Sequence, residues 1–366
     1  NGEAVIANSS GNASLSLSDA FSLTGSGTFK LTNSSGNGTL MVAKNFTHSA
    51  GTLSRASTGT ANVEFNGTTA QTYTSGGTVS GDVNFLVKTN AILDMNTSFI
   101  SGSGTFTTQN SSTLRLGSAD GIVALSVTNG NIRNSGSRTF ASAATYTYNG
   151  LVNQQTGSGL PASISGSLVI NNTGNTVSLT NDGTSVGTLN LQAGTFSIGT
   201  GQTLNILNAG TVSISSGAFP SGSTAGTLNF NGNGSFSGTS SPYNVYASGG
   251  VNFGVATTIQ TGGTFRINAG GYVDAANPPT YASGASLQYN TGGTYGRYDE
   301  WKSTSGAGYP YHVQLSNNTT LNLGNGGTGT ARQIAGNLLI DDGSTLSMNI
   351  SGAEMTAALT VNGDVT

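Results

Sequence analysis

Residues that could carry acid–base or metal chemistry are few in this chain, and they are widely spread. Its 366 residues include two histidines, His48 and His312, 14 acidic residues and no cysteine. In a fold built from stacked repeats, the two histidines would lie many repeats apart, which argues against a histidine-based triad or metal cluster. The absence of cysteine rules out a disulfide scaffold and a cysteine-zinc site.

The carboxylates form no ready acid–base couple of the kind that a glycosidase needs. Asp82 and Asp94 could meet from neighbouring half-turns, with Lys88 between them. The dipeptides Asp299-Glu300 and Asp341-Asp342 are adjacent pairs, and adjacent residues of a strand point to opposite faces. The second pair resembles part of a calcium loop without its terminal glutamate, so a turn is the better interpretation, and a calcium ion there stays an open question. We expect no enzyme activity and no cofactor.

One short window is rich in aromatic side chains, in a chain with only 7% aromatic residues and a single tryptophan. Exposed tyrosine and tryptophan rings stack on sugars and form the strongest contacts of protein interfaces. The alternative is that these rings pack on one another and hold a loop in place, which is the interpretation we favour. The candidate contact residues are Tyr295, Arg297, Tyr298, Trp301, Tyr309 and Tyr311.

Composition narrows the classes of partner. Only 7% of the residues are charged, the net charge is -3 and hydrophobic residues make up 35% of the chain. An apolar core is therefore possible, and the chain lacks the high net charge of disordered segments. Because the 11 Lys and Arg residues are scattered and form no basic stripe, we expect no nucleic-acid partner. No run approaches the ~20 apolar residues of a membrane helix, so we expect no membrane insertion.

The elements that must position these residues are indicated by a recurring phrase, Gly-Thr-apolar-polar-apolar. Each copy is a turn residue followed by two apolar side chains on one face of an extended segment. A unit that small cannot bury its own apolar face, so it must stack on copies of itself. The phrase, with Ser for Thr in one copy, occurs at 27–31, 38–42, 166–170, 187–191, 194–198, 210–214, 226–230 and 263–267.

The pattern predicts an all-β protein, a parallel β-helix or β-solenoid. Between Ser165 and Phe219, strands of about four to six residues begin near 166, 176, 187, 194, 202 and 210. Three such strands make a turn of about 20 to 25 residues, so residues 1–366 would form one continuous rod of roughly 15 to 18 turns. A meandering sandwich is the alternative. Helical spacing is absent, except for a possible single turn at 353–358.

In this prediction Leu, Ile, Val and Phe point inward, Thr, Ser and Asn point outward, and glycines turn the corners. Two regions break the rhythm, at 146–161 and at 289–315. The second contains the aromatic window and an unusual share of the charge. We interpret it as an excursion from the coil, either a loop or a long turn.

Several segments in and beside these irregular regions carry a family resemblance: Tyr148-Asn149-Gly150 through Gly159-Leu160-Pro161, then 166–172, and Tyr295-Gly296-Arg297 with Glu300-Trp301, 308–310 and 317–323. They resemble a repeat that is common in secreted surface proteins of Bacteroidetes. The resemblance covers about half of the chain, and the remainder is similar only in general character. It implies a long, cell-surface or released β-solenoid protein, exported with a C-terminal type IX secretion signal, and it specifies no ligand.

These observations together predict a structural, non-catalytic section of an extracellular surface filament or adhesin-like stalk. The missing initiator Met and the end in mid-pattern favour a piece of a longer exported chain. Its partners would be further repeats of the same parent chain, neighbouring filament subunits or surface glycans. The main alternative is a polysaccharide-binding or polysaccharide-cleaving β-helix. A third idea, ice binding, requires a regular Thr-x-Thr face, and we find no register of such triplets between turns.

Overall fold

The computed structural model of the protein describes residues 2–125, 127–222, 226–302, 304–325, 329–350 and 352–366. Its strands stack as parallel coils in about 15 turns, so the predicted all-β parallel β-solenoid is confirmed. Within those ranges the one helix is a short 3-10 helix, Asp299–Trp301. The chain divides into two compact units, residues 1–181 and 182–366, which are described in turn. One continuous rod over 1–366 stays a prediction.

The first unit consists of short strands separated by turns. The first turns each contribute a strand to three parallel sheets, whereas the later turns contribute to fewer of them. The sheets contain four, six and seven strands of this unit, in the orders β1-β4-β7-β10, β2-β5-β8-β11-β13-β15 and β3-β6-β9-β12-β14-β16-β18. The strands are β1 Glu3–Ala7, β2 Ala13–Leu17, β3 Phe21–Leu23, β4 Thr28–Thr32, β5 Gly38–Val42, β6 Phe46–His48, β7 Thr52–Arg55, β8 Ala61–Phe65, β9 Ala70–Thr74, β10 Thr78–Ser80, β11 Val83–Val87, β12 Ile92–Asp94, β13 Phe106–Thr108, β14 Thr113–Leu116, β15 Arg138–Thr139, β16 Thr145–Tyr148, β17 Gln154–Gln155 and β18 Ser163–Ser178.

The register gives the length of each turn directly. Thr39 pairs with Asn62 and Asn62 pairs with Asn84, and these partners are 23 and 22 positions apart, within the predicted range. One later turn is considerably longer, because the next partner of Phe106 is Arg138. The turns of the first unit therefore stay near the predicted period. Two registers slightly exceed it, Thr52 with Thr78 at 26 positions and Phe46 with Tyr73 at 27, and the turn after Phe106 is much longer.

Inward side chains of this unit form the expected columns. Leu40, Val63, Phe85 and Phe106 are paired in register on successive strands. Each of them is at most 1% exposed. The aliphatic and aromatic side chains therefore build the dry interior that the phrase predicted.

Glutamine side chains hold two corners of this unit in a way that the sequence pattern did not reveal. Gln71 is fully buried, and its Oε1 accepts the backbone N–H of Gly67 at 2.7 Å. Its Nε2 donates to the carbonyl oxygens of Val42, at 2.6 Å, and Lys44, at 2.7 Å, one turn below. One amide thus satisfies the buried N–H of Gly67 and adds a hydrogen bond to two carbonyl oxygens, of which Val42 O also accepts the N–H of Asn66. Gln154 makes the equivalent bonds with Gly150 N, Leu116 O and Ser118 O.

The second unit has the same parallel architecture with more variable turns. Its main sheet runs β20-β21-β23-β26-β29-β31-β34. The strands are β19 Ser185–Ser197, β20 Thr203–Ile214, β21 Thr227–Phe230, β22 Gly234–Ser237, β23 Asn244–Ala247, β24 Gly250–Asn252, β25 Thr258–Ile259, β26 Thr264–Asn268, β27 Tyr272–Val273, β28 Thr280–Tyr281, β29 Ser286–Asn290, β30 Thr294–Gly296, β31 His312–Leu315, β32 Thr320–Asn322, β33 Arg332–Ile334, β34 Leu338–Ile340, β35 Thr345–Ser347, β36 Asn349–Ile350, β37 Ala353–Glu354 and β38 Leu359–Val361.

An inner column crosses the main sheet of this unit. Leu204, Leu228, Val245, Phe265 and Leu287 are paired in register on successive strands, and each is at most 1% exposed. The steps along the chain between successive members are unequal, with the shortest from Leu228 to Val245. The regular period is therefore a mean, and individual turns shorten or lengthen at their loops while the inner column is kept.

Two local expectations were wrong. The separate strands expected around 166 and 176, 187 and 194, and 202 and 210 are joined into the long strands β18, β19 and β20. Positive φ angles at Gly174 (76°), Gly194 (79°) and Ala209 (61°) bend each strand without ending its ladder. The possible helical turn at 353–358 instead begins with β37, which pairs antiparallel with β36.

Candidate ligand-binding site

The irregular region at 289–315 lies within one turn of the second unit. The in-register partners Gln288 and Gln314 are 26 positions apart, against 22 for Arg266 and Gln288 across the preceding turn and 25 for Gln314 and Leu339 across the following one. Strands β29, β30 and β31 lie in the regular sheets. Residues 297–311 leave the strands and include the 3-10 helix, while Ser303 lies outside the described residues. The irregularity therefore lies in this segment and not in the length of the turn.

Arg297 fixes this segment from inside. Its side chain is only 2% exposed, and its guanidinium donates to four carbonyl oxygens. Nη1 contacts Tyr298 O at 2.7 Å and Trp301 O at 2.8 Å, Nε contacts Leu323 O at 3.1 Å, and Nη2 contacts Asn325 O. Arg297 therefore closes the loop on itself and ties it to the following turn. Arg297 was one of the candidate contact residues, and its burial agrees with the favoured interpretation, in which these side chains hold the loop in place.

Trp301 is the second predicted contact residue that the structure places in the interior. It is 0% exposed, and its Nε1–H donates to Gln333 O at 3.1 Å. The segment is also bound to the preceding turn, where Gly308 N–H donates to Pro279 O at 3.0 Å. The Tyr281 hydroxyl donates to the carbonyl oxygen of Glu300 at 3.2 Å. For Arg297 and Trp301, the interpretation as packing of a loop applies.

Glu300 is a fully buried carboxyl group behind this segment. Its Oε1 accepts the backbone N–H of Tyr298 at 2.9 Å and the hydroxyl of Tyr289 at 3.0 Å, while its Oε2 is buried without a partner in the described part of the chain. Burial raises the pKa of Glu300 to about 7, although these hydrogen bonds and the positive charge of Arg297 oppose the shift. The carboxyl group is therefore largely protonated in mildly acidic solution.

Three tyrosine rings line an open cleft on the outside of the same turn. Tyr272, Tyr295 and Tyr298 enclose about 350 Å³ together with Gly270 and Gly271. Tyr298 is 55% exposed and Tyr272 is 37% exposed, which places both among the most accessible large side chains of the described residues. The Tyr295 and Tyr298 rings meet edge to face, with centroids 6.1 Å apart. We call these three rings the tyrosine cleft.

The tyrosine cleft lies where one sheet of the second unit is interrupted. Strand β27, which begins with Tyr272, pairs with β24, and β30, which contains Tyr295, pairs with β32. No pairing between β27 and β30 is found among the described residues. Glycine makes the floor possible, because a Cβ on Gly250 would lie 2.6 Å from Cζ of Tyr272. The Tyr272 ring therefore lies over the backbone of the turn below.

The six predicted contact residues thus separate into groups. Tyr295 and Tyr298 lie together in the tyrosine cleft, whereas Tyr309 and Tyr311 are half-buried outside its lining. The Tyr311 ring packs instead on the imidazole of His312, with centroids 4.7 Å apart. Tyr272 was missed by the sequence analysis. Its position, one regular turn of the coil before β30, is the signal that could have found it.

The histidines lie in different environments, and the scattered acids have ion-pair partners. His48 is 1% exposed, its Nε2 is buried without a hydrogen-bond partner in the described part of the chain, and burial lowers its pKa below the usual value. His312 accepts the backbone N–H of Asn337 at Nδ1, at 2.9 Å. Asp82 and Asp94, which could have met from neighbouring half-turns, bind arginines of adjacent turns, Arg55 and Arg115 respectively. Within the described ranges, no three His, Cys, Asp or Glu residues are grouped as a metal site would require.

The acidic turn at Asp341 is also accounted for locally. The Asp341 carboxylate accepts a hydrogen bond from Gln314 Nε2 at 2.9 Å, and its carbonyl oxygen accepts the N–H of Ser344 at the same distance. Gly343 adopts a φ of 78°, which suits a tight turn. These contacts describe a turn, and the question of a calcium ion stays open.

A larger groove of about 900 Å³ lies elsewhere in the second unit, with many serine and threonine residues in its lining. Gln260 is one of its polar residues, but its amide is bonded to the surrounding loop. Its Nε2 donates to Pro220 O at 2.9 Å, and its Oε1 accepts Gly222 N–H at 3.2 Å. The groove therefore shows no convergent set of polar groups like that of an established binding site.

No protein-family model matches this chain, and neither a curated protein nor a solved structure matches it significantly. In the described part of the chain, no helix combines the length and apolar character needed to cross a membrane. The β-solenoid fold and the tyrosine cleft are thus the features from which function can be inferred. The resemblance to Bacteroidetes surface proteins remains a prediction from the sequence.

Proposed function

We propose that this chain is a non-catalytic, structural section of an extracellular surface filament or adhesin-like stalk. The observation that carries the proposal is the way in which each solenoid turn is bonded to the next. In both units the backbone ladders are parallel, apart from the β36–β37 pair, and the inner columns continue from turn to turn. Stacking of this kind is typical of structural repeat proteins.

The charged side chains of the first unit support this proposal, because they are used mainly between turns. Individually, exposed ion pairs of this kind contribute about 0–1 kcal/mol, but they leave few charges free on the surface. Successive turns are therefore matched in charge as well as in hydrogen bonding. The inter-turn pairs are Lys30–Glu3 at 2.9 Å, Arg55–Asp82 at 2.5 Å, Lys88–Glu64 at 3.3 Å and Arg115–Asp94 at 3.6 Å.

The second unit uses amide side chains for the same purpose. On its outer face, Arg266 Nε donates to Gln288 Oε1 at 2.6 Å, and Gln288 Nε2 donates to Gln314 Oε1 at 3.2 Å. Asn229 Nδ2 likewise contacts Asn205 Oδ1 at 2.9 Å, one turn below. Polar rows of this kind satisfy outward side chains within the molecule. These rows suit a protein that extends from the cell and must stay folded outside it.

The proposed setting is the surface of a Bacteroidetes cell, with export by type IX secretion. The proposed partners are further repeats of the parent chain and neighbouring filament subunits. Immunogold labelling of intact cells that produce the protein tests this setting. We expect label on the cell surface or on released filaments, and its loss after mild protease treatment of whole cells. Label confined to the cell interior would refute the proposal.

The second candidate is a polysaccharide-binding or polysaccharide-cleaving β-helix protein. The tyrosine cleft favours the binding form, because exposed rings provide stacking surface. Cleavage is tested by incubating the protein with plant and algal polysaccharides and measuring the release of reducing ends. Release above the level of a heat-denatured sample would replace the non-catalytic proposal with an enzymatic one.

A further inference from the structure

We propose that the tyrosine cleft binds the pyranose rings of a neutral polysaccharide. This inference goes beyond the proposed structural role and does not depend on it, because a structural stalk needs no ligand site. It depends on three features of the cleft: exposed aromatic faces, a lining without charge and a preformed geometry.

The first feature is the exposure of rings that come from different turns. Tyr272 and Tyr298 are separated by a whole turn of the chain, yet both line one opening of about 350 Å³. The C–H faces of a pyranose ring are apolar and pack on aromatic faces, while its hydroxyl groups remain in water or bind nearby polar groups. A volume near the lower end of the ~300–1,000 Å³ range of ligand sites suits one or two sugar rings of a longer chain.

The second feature is the absence of charge from the described residues that line the cleft. They offer peptide groups and the phenol groups of the exposed Tyr272 and Tyr298, whereas the hydroxyl of Tyr295 is buried. The nearby charged groups are engaged elsewhere: Arg297 is buried against carbonyl oxygens, and Glu300 is buried under Tyr298. Asp299 and Lys302 approach each other to 4.0 Å. A ligand with carboxylate or sulfate groups would therefore find no cationic side chain in the lining, whereas a neutral sugar needs none.

The third feature is that the cleft is held in shape before any ligand arrives. The Tyr298 backbone is bonded at both polar groups, with its N–H to Glu300 Oε1 at 2.9 Å and its carbonyl oxygen to Arg297 Nη1 at 2.7 Å. Tyr295 belongs to β30, which is paired with β32. Preorganised rings lose little conformational entropy on binding, so even a small site can select a ligand.

Binding of the full chain to soluble polysaccharides tests the inference. The neutral probes are xyloglucan, galactomannan and laminarin, the anionic probes are alginate and polygalacturonate, and calorimetry in one mildly acidic buffer measures affinity. The variants are Tyr272→Ala and Tyr298→Ala. Tyr311→Ala is the matched control, because it removes a half-buried tyrosine of the same turn that lies outside the cleft lining.

We expect the wild-type chain to bind at least one neutral probe and to bind the anionic probes more weakly or not at all. Each cleft variant should lose affinity by about tenfold or more, while Tyr311→Ala keeps it. Tyr298→Phe should retain binding, because the ring face is preserved. Trp301 fluorescence verifies that each variant is folded. No binding to any neutral probe, preference for an anionic probe, or equal loss in Tyr311→Ala would overturn the inference.

Discussion

The buried carboxyl group of Glu300 makes the second unit less stable as the pH rises. The usual pKa of 4.5 describes this side chain in the unfolded chain, and burial raises it to about 7 in the folded protein. Between these values the folded state binds the proton more tightly, so the free energy of unfolding falls with increasing pH. The stabilising contribution is complete below pH 4.5 and is lost as the pH rises through 7.

The magnitude follows from the size of the shift. The difference between the two pKa values, at 1.36 kcal/mol per unit, corresponds to about 3 kcal/mol between acidic and alkaline solution. Glu300→Gln removes the titration but keeps an oxygen that can accept the hydrogen bonds from Tyr289 and Tyr298. We therefore expect Glu300→Gln to match the wild-type protein in stability near pH 4.5, and to exceed it by about 3 kcal/mol above pH 8.

Urea unfolding followed by Trp301 emission is the appropriate assay, because the single tryptophan is fully buried next to Glu300 in the sequence. Because the other titrating groups are the same in both proteins, the difference between their free energies of unfolding reports the titration of Glu300. Asp299→Asn is a matched control, since Asp299 is only half-buried and adjoins Glu300. If Glu300→Gln followed the wild-type pH dependence without a gap above pH 8, the argument for a buried, shifted carboxyl group would be refuted.

Three further predictions concern the interior. His48, whose pKa is lowered by burial, should remain neutral in NMR titrations at pH values just below 6.5. The stability of the first unit should fall as the pH drops below 6.5, because the unfolded chain then binds the proton more readily than the folded one. Protonation of His48 at or above pH 6.5 would contradict this. Gln71→Leu should cost about 1–3 kcal/mol in urea unfolding because the buried N–H of Gly67 loses its partner, whereas exposed Gln192→Leu should be nearly neutral. Leu228→Ala should cost about 2–5 kcal/mol, against less than about 0.5 kcal/mol for the exposed Leu339→Ala, and equal costs would disprove the inner column.

The fold could be predicted from the sequence because its determinants are local and repeated. A phrase such as 226–230 contains its own turn, its inward residues and its outward residues. Since each copy must bury the same face, parallel stacking follows without any long-range information. The inner column through Leu228 shows that this reasoning was sufficient. Periodicity predicts which side chains point inward, and the structure confirms it.

The contacts at the corners could not be predicted from the sequence in the same way. The repeated phrase predicts that a strand ends at each glycine, but Gly174 and Gly194 bend strands that continue on both sides. The pattern did not identify Gln71, whose amide is buried against the backbone of the previous turn. Whether a polar residue turns inward depends on which carbonyl groups a corner leaves unbonded, and that is a property of two turns together.

The candidate site was only partly predictable, for a related reason. The aromatic window identified Tyr295 and Tyr298, but it also suggested Arg297 and Trp301, which are buried. Composition reveals that a segment carries unusual residues, whereas burial depends on how the segment packs on its neighbours. Tyr272 lies outside the aromatic window of the sequence. It reaches the cleft because one turn of the coil brings it beside Tyr295.

The position of the tyrosine cleft follows from the segment at 297–311, which leaves the strands. In a regular turn, each strand pairs with the equivalent strand of the next turn. The described residues of 297–311 lack that pairing, so this segment must satisfy its own backbone and apolar side chains. Arg297 and Glu300 do so from inside, and the neighbouring sheet is interrupted between β27 and β30. An irregular turn thereby creates the concave surface that stacking alone does not provide, so a ligand site on this solenoid is expected where the repeat is broken.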